Sequence, residues 1–185
     1  METESSPYKK LSPKPAMSAT KQRDKASSYA KRDPRKALEL ARAIDEPWFK
    51  AQALSWIARF SESDTVVIAK EASEAAALGD DAYKKAAVRA WEVAALAERE
   101  FSEEAKAALK EALGESKSVE PNSSRAEALI SLLHAALRID HQAAETVSEE
   151  LNAACGDDPF WRCKRAMKDA NALMAGETKP RKFFW

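Results

Sequence analysis

The chain has 185 residues, and its 30 basic residues balance its 30 acidic residues, so the formal net charge is zero. Hydrophobic residues make up 45% and charged residues 32%, which is typical of a globular domain with a charged surface. No apolar run approaches the roughly 18 residues of a membrane span, and the polar start does not resemble a signal peptide. Two cysteines exclude a disulfide framework, so we expect a cytoplasmic protein.

Helix-forming segments separated by short turns fill most of the chain. Alanine is abundant, the prolines stand outside the helix-periodic stretches, and the one β-like run (65–68) is too short for a strand. In chain order, we predict helices at about 18–32, 34–44, 47–60, 64–78, 81–99, 103–113, 123–138, 141–155 and 159–174. Asp33 and Asp158 each precede a proline, as an N-cap precedes the first helical residue. The four glycines, Gly79, Gly114, Gly156 and Gly176, are each predicted to follow a helix end. The sequence therefore predicts an all-α fold.

A short pattern recurs where four of these helices begin: two acids, a helix-starting residue, an aromatic, a base and a small residue. Residues 45–51, 80–86 and 157–163 have this pattern, and residues 119–126 are a degenerate copy. The aligned bases Lys50, Lys85, Arg125 and Arg162 are separated by 35, 40 and 37 residues. Short connections predict antiparallel hairpins, and one hairpin cannot bury both its faces. We therefore predict an α-solenoid of about four antiparallel helix pairs.

The second helices of these pairs have small or apolar residues at spacings of four and then three. Examples are Ala105-Leu109-Ala112, Ala37-Ala41-Ile44 and Ala69-Ser73-Ala76. In this pattern, residues 34–174 resemble tetratricopeptide-type helical repeats. The repeats are longer than the 34 residues of that family, and the first helices lack its aromatic, Leu-Gly and Tyr signature. HEAT-type repeats are therefore the alternative. The resemblance implies a right-handed superhelix whose groove holds a protein partner.

Charge is distributed unevenly along the chain. Residues 1–36 contain ten bases and four acids, residues 37–175 contain 17 bases and 25 acids, and residues 176–185 contain three bases and one acid. We expect a disordered basic arm at 1–17, a helical-repeat domain at 18–175 and a basic, aromatic tail at 176–185. The basic ends support a second hypothesis, a nucleic-acid- or ribosome-associated factor.

The four aligned bases have two interpretations. In the first, Glu46, Asp81 and Asp158 form local salt bridges with the bases four residues later. In the second, Lys50, Lys85, Arg125 and Arg162 form a basic ladder that binds the carboxylates of a partner peptide. A cation in the first turn of a helix opposes the helix dipole, so helix stability does not explain the recurrence.

Aromatic residues also recur. Trp56 and Trp91 share one repeat position, and Trp48, Phe49, Phe160 and Trp161 share another. We interpret both sets as contacts between helices, with exposed partner anchors as the alternative. The chain ends in Phe183, Phe184 and Trp185. These residues either fold back and cover the last helix pair or form a linear motif that docks on another protein or a membrane surface.

No residue pattern indicates catalysis. His134, His141, Cys155 and Cys163 do not have the spacing of a zinc site, and four isolated glycines cannot form a phosphate-binding loop. Cys163 takes the small-residue position of Ala51, Ala86 and Ala126, which predicts a packing role. We therefore predict a non-catalytic adaptor or scaffold that binds a protein partner, without metal or cofactor. A helical-repeat enzyme with an unrecognised site is a third hypothesis.

Overall fold

The computed structural model describes residues 17–183, and this range contains nine α-helices and no β-strand. The helices are α1 Ala19–Tyr29, α2 Pro34–Arg42, α3 Pro47–Ala58, α4 Thr65–Ala77, α5 Ala82–Glu98, α6 Ser102–Ser116, α7 Asn122–Ala136, α8 His141–Cys155 and α9 Trp161–Met174. The all-α prediction is confirmed. The arm predicted at residues 1–17 lies outside the described residues except for Met17. Within the described range, every helix is too short or too polar to cross a membrane.

Acidic side chains begin several helices by accepting hydrogen bonds from the backbone. Asp33, Glu46 and Asp81 precede α2, α3 and α5. Each carboxylate accepts a hydrogen bond from the backbone N–H three residues later, at 3.0, 2.9 and 2.7 Å. These bonds satisfy N–H groups that have no partner inside the helix. In two copies of the recurring pattern, Glu46 and Asp81 therefore act as N-caps.

Several predicted helix boundaries differ from the structure by two or three residues, and two of these differences have a clear cause. Helix α9 begins at Trp161 rather than at Pro159, because the Asp158 carboxylate accepts from the Phe160 backbone N–H (2.9 Å) and closes a turn before the helix. Gly114 lies inside α6, where open space surrounds it and a glycine costs only about 1 kcal/mol relative to alanine. Gly176 does follow a helix end, with a φ of +72° that favours glycine.

The helix contacts repeat along the chain. Each odd-numbered helix packs against the even-numbered helix that follows it and against the next odd-numbered helix. Each even-numbered helix also contacts the odd-numbered helix that follows it. Contacts between even-numbered helices are slight, and the connections are only three to six residues long. The odd-numbered helices thus form a close-packed row, with the even-numbered helices beside it.

Small residues lie where the odd-numbered helices pack. Ala51, Ala86, Ala126 and Cys163 occupy α3, α5, α7 and α9, and each is at most 1% exposed. Ala51, Ala126 and Cys163 belong to the main hydrophobic core, which also contains Ile57, Leu132 and Leu133, whereas Ala86 belongs to a smaller cluster with Val119 and Ala128. The four aligned small residues are therefore all buried, as the repeat alignment predicted.

The two cysteines form a disulfide, which the sequence analysis did not predict. Cys155 is the last residue of α8, and Cys163 is the third residue of α9. The turn between these helices brings their Cα atoms to 5.2 Å, within the range that a disulfide spans. Cys163 is fully buried, so it has the predicted packing role in addition to the covalent one.

Candidate functional site

The tail returns from α9 to the row of odd-numbered helices. After the turn at Gly176, the chain reaches the end of α7, where two side chains hold the backbone of one tail residue. The backbone N–H of Arg181 donates to His134 Nδ1 (3.1 Å), and the Arg138 guanidinium donates to the Arg181 carbonyl oxygen (3.0 Å). The protein thus binds its own tail through main-chain hydrogen bonds.

Phe183 inserts into the molecule at the end of this segment. Its side chain is 2% exposed and meets the Trp91 ring edge-on, with 5.8 Å between ring centroids. The guanidinium carbons of Arg138 and Arg181 lie 5.8 and 4.7 Å from the Phe183 centroid. Phe183 therefore folds back, but its partners are α5 and the end of α7 rather than the last helix pair. Phe184 and Trp185 lie outside the described residues.

A cavity of about 530 Å³ adjoins Phe183. We call the surface formed by Lys31, Trp56, Arg59, Phe60, Glu98 and Arg138 the odd-helix groove, and Pro180, Lys182 and Phe183 of the tail close one side of it. Most of these residues lie at the carboxyl ends of α3, α5 and α7. Trp56 is fixed there by its indole N–H, which donates to the Ser27 carbonyl oxygen of α1 (3.1 Å).

Positive charge predominates in the odd-helix groove. Among the described residues that line it, Glu98 is the single acid, and this carboxylate is shared by Arg59 (2.6 Å) and Arg138 (2.8 Å). The Arg59 guanidinium also lies 5.0 Å from the Trp56 ring centroid, and Lys31 Nζ lies 5.1 Å from that of Phe60. Cations placed over aromatic faces in this way are attracted by the ring quadrupole. The groove therefore combines aromatic surface with three cations and one anion.

His134 is neutral where it holds the tail. Burial, followed by the charges of Arg181 and Arg138, lowers the pKa of the imidazole to about 4. A neutral imidazole has one nitrogen without a proton, so Nδ1 can accept the hydrogen bond from the Arg181 backbone N–H. Protonation would remove this acceptor and add a fourth cation beside the groove.

The four aligned bases do not take part in this groove. Lys50, Lys85, Arg125 and Arg162 lie near the amino ends of their helices, whereas the groove is at the carboxyl ends. Arg125 pairs with Glu150 of α8 (3.4 Å), and Arg162 approaches Glu127 of α7 (3.8 Å). Within residues 17–183, no base pairs with the acid four positions earlier, since those acids bind backbone N–H groups instead. The local salt-bridge interpretation is therefore wrong.

The recurrent aromatics divide between groove and surface. Trp56 and Trp91 are half-buried beside the tail, so their shared repeat position corresponds to one face of the odd-numbered helices. Phe160 and Trp161 are 46% and 56% exposed, which contradicts their assignment to helix contacts. Phe160 directly precedes α9 and Trp161 begins it, and within residues 17–183 no further odd-numbered helix covers them. Trp48 packs against the core as predicted.

A buried ion network between α5 and α6 is a separate cluster of titratable groups. Arg89 is 3% exposed and contacts Glu92 (2.6 Å), Glu115 (2.6 Å) and Glu111 (3.0 Å). Burial raises the pKa of Glu92 to about 7, although the charge of Arg89 opposes this shift. Each of the three carboxylates pairs with Arg89. This network therefore joins α5 to α6.

Sequence reasoning missed the side chains that hold the tail, His134 and Arg138, and the neighbouring Arg59. A signal was present, because Arg59, Arg99 and Arg138 each follow directly or closely on the end of an odd-numbered helix. These three bases recur after the carboxyl ends of the helices, whereas the four aligned bases recur near the amino ends. Only part of this set of three reaches the groove.

Comparisons with known proteins do not suggest a function, so the proposal below is based on the geometry of the groove and the tail. No protein-family model, curated protein or solved structure matches the chain. Among residues 17–183, no group of three His, Cys, Asp or Glu side chains could hold a metal ion.

Proposed function

We propose that the chain is a non-catalytic protein-interaction module, an adaptor or scaffold, and that the odd-helix groove is its binding surface. In this proposal, residues 34–174 are tetratricopeptide-like repeats, with HEAT-type repeats as the alternative. The helix pairs stack into an α-solenoid with a right-handed superhelix, and the odd-numbered helices line its inner face. The repeating order of helix contacts and the buried row of Ala51, Ala86, Ala126 and Cys163 support this architecture.

The observation that supports the binding function most strongly is that the protein already binds a peptide segment, its own tail, at one side of this groove. His134 and Arg138 bind both polar backbone atoms of Arg181, and Phe183 fills an aromatic slot beside them. Backbone hydrogen bonds supply affinity for an extended chain, and a side-chain slot supplies specificity. A surface that binds the protein's own segment in this way is suited to a segment of another protein.

A comparison of two alanine variants in an affinity capture from cell extract tests this proposal. Trp56→Ala changes the odd-helix groove, and Val67→Ala changes a 60%-exposed residue of α4. We expect Trp56→Ala to lose proteins that the full chain captures and Val67→Ala to keep them. Equal loss in both variants, or equal retention, would contradict a groove-specific function. Far-UV circular dichroism of both variants checks that the helices are intact.

Nucleic-acid binding is the second candidate, and exposed bases on α1, on α2 and in the connection between them favour it. Lys21, Lys25, Lys31, Arg32 and Arg35 are all exposed, and they belong to the basic part of the chain. Phosphate contacts would make RNA affinity fall steeply with salt. Removal of these charges by Lys-to-Gln and Arg-to-Gln changes should then abolish RNA binding. Binding that is absent or insensitive to salt would rule out this candidate.

A cytoplasmic location was expected from the low number of cysteines, and it stays a proposal. The Cys155–Cys163 disulfide is more typical of an oxidising compartment. Trapping the thiols in intact cells before lysis distinguishes the two locations. If both cysteines are alkylated, the cytoplasmic location is supported. If neither cysteine is alkylated, the cytoplasmic location is contradicted.

A further inference from the structure

The groove recognises the tail by contacts that another peptide could reproduce. Both hydrogen bonds from α7 and its end, those of His134 and Arg138, go to backbone atoms of Arg181. The Arg181 side chain therefore does not determine whether these bonds form. Any extended segment offers the same N–H and carbonyl groups at one residue.

The slot next to these bonds requires an aromatic side chain. Phe183 is 2% exposed between the Trp91 ring and the Arg138 guanidinium. An edge-to-face aromatic pair and a cation over a ring both favour an aromatic occupant over an aliphatic one. The ligand that fits this surface therefore has an aromatic residue two positions after the residue bound by its backbone.

The charges of the tail do not match those of the groove. Lys31, Arg59 and Arg138 already exceed the single acid, Glu98. The tail adds Lys182 at the cavity and Arg181 over the Phe183 ring. Within residues 17–183, neither tail base has a carboxylate partner. Arg181 and Lys182 are exposed, so solvent screens their repulsion from the groove cations, but the basic tail still matches this surface less well than an acidic segment would.

We infer that the odd-helix groove binds an extended acidic segment of a partner protein that carries an aromatic residue, and that this segment displaces the basic tail. The aromatic side chain replaces Phe183 against Trp91, and the carboxylates of the partner pair with Lys31, Arg59 and Arg138. The tail then protects the aromatic slot when no partner is present. This inference rests on the proposed function, because it names the chemistry of the partner that the same groove binds.

Three labelled peptides and the full-length chain test the inference by fluorescence anisotropy. The first peptide has the sequence of residues 179–185, the second has glutamate at its three basic positions, and the third is the second with alanine at its three aromatic positions. We expect the acidic aromatic peptide to bind about tenfold more tightly than either of the others, because its three negative charges are opposite in sign to the excess charge of the groove. The affinity of this peptide should decrease when the salt concentration is raised from about 50 to about 300 mM, because salt screens interactions between exposed charges.

The inference is overturned if the basic peptide binds as tightly as the acidic one. It is also overturned if the peptide without aromatics binds equally, since binding would then need charge alone. The inference is overturned as well if none of the three peptides binds to either the wild-type chain or the Phe183→Ala variant. Phe183→Ala in the full chain vacates the slot, and we expect it to raise the affinity of the acidic aromatic peptide by about tenfold.

A charge reversal at an exposed residue keeps the test independent of folding. Lys31→Glu should weaken binding of the acidic aromatic peptide severalfold, and Lys25→Glu, an equally exposed change on α1, should not. Equal effects of these two changes would contradict the assigned groove. If the peptide binds as expected but Trp56→Ala captures the same proteins as the full chain, the adaptor proposal fails and the groove chemistry stands. If capture depends on Trp56 but no acidic peptide binds, the inference alone fails.

Discussion

Replacement of the buried Glu92 by glutamine should change how the stability of the protein depends on pH. Glu92 is 6% exposed, and burial raises the pKa of its carboxyl from 4.5 to about 7. The folded state therefore holds a proton between these pH values that the unfolded state has released. A proton bound more tightly by the folded state makes stability fall as pH rises through this window.

The size of the effect follows from the two pKa values of Glu92. Between pH 5.5 and pH 8, the folded carboxyl loses its proton, whereas the unfolded one is ionised throughout. Integration of this difference reduces the free energy of unfolding by about 2 kcal/mol over the interval. His134 has the opposite effect, of about 1 kcal/mol, because its pKa is lowered to about 4 and the unfolded state binds the extra proton. The wild-type profile alone therefore conceals the Glu92 contribution.

Urea denaturation of Glu92→Gln and the wild-type chain, followed by circular dichroism at pH 5.5 and pH 8, isolates this contribution. Relative to the wild type, the variant should gain about 2 kcal/mol on going from pH 5.5 to pH 8, since glutamine cannot ionise. Glu104→Gln, an exposed change on α6, serves as the matched control and should leave the profile unchanged. Parallel profiles of Glu92→Gln and wild type would refute the assignment of a buried, protonated carboxyl.

The remaining predictions concern packing, the tail and the disulfide. Ala126→Leu should destabilise the protein by about 1–3 kcal/mol through overpacking, whereas Ala153→Leu on the exposed face of α8 should not; equal denaturation midpoints would place Ala126 at the surface. His134→Phe should weaken attachment of the tail, seen as faster hydrogen exchange at the Arg181 amide; an unchanged exchange rate would contradict the bond to Nδ1. Reduction of the disulfide between Cys155 and Cys163 should cost about 2–3 kcal/mol, measured as a lower urea midpoint; an unchanged midpoint would contradict a constraint on the unfolded chain.

Much of the helical framework follows from local sequence signals. Acids at Asp33, Glu46 and Asp81 mark helix starts because their carboxylates bind backbone N–H groups only three residues away. The buried positions of Ala51 and Ala126 follow from repeat spacing, since equivalent positions of stacked repeats face the same neighbours. The capping acids can be recognised because they act within three residues, and the buried small residues can be recognised because they recur at a regular spacing.

The groove, in contrast, depends on contacts that are neither close in sequence nor repeated along the chain. The Arg181 amide and His134 are 47 residues apart, and this bond occurs once, so no repeat could reveal it. Phe183 folds back onto the protein, as one of the two predicted alternatives had it, but the sequence indicated the last helix pair rather than α5 and the end of α7. Likewise, Arg89 and Glu92 resemble an ordinary surface pair in sequence, and only the packing of α6 buries them.

The most direct test of the account is photo-crosslinking from inside the odd-helix groove. The photoreactive residue benzoylphenylalanine replaces Phe60, which lines the groove, or Val67, which is exposed on α4, in otherwise full-length chains. After irradiation in cell extract, mass spectrometry identifies the crosslinked proteins. Position 60 should yield adducts that an excess of the acidic aromatic peptide suppresses, and position 67 should not. Adducts that are the same at both positions, or that the peptide leaves unchanged, would contradict a partner-binding groove.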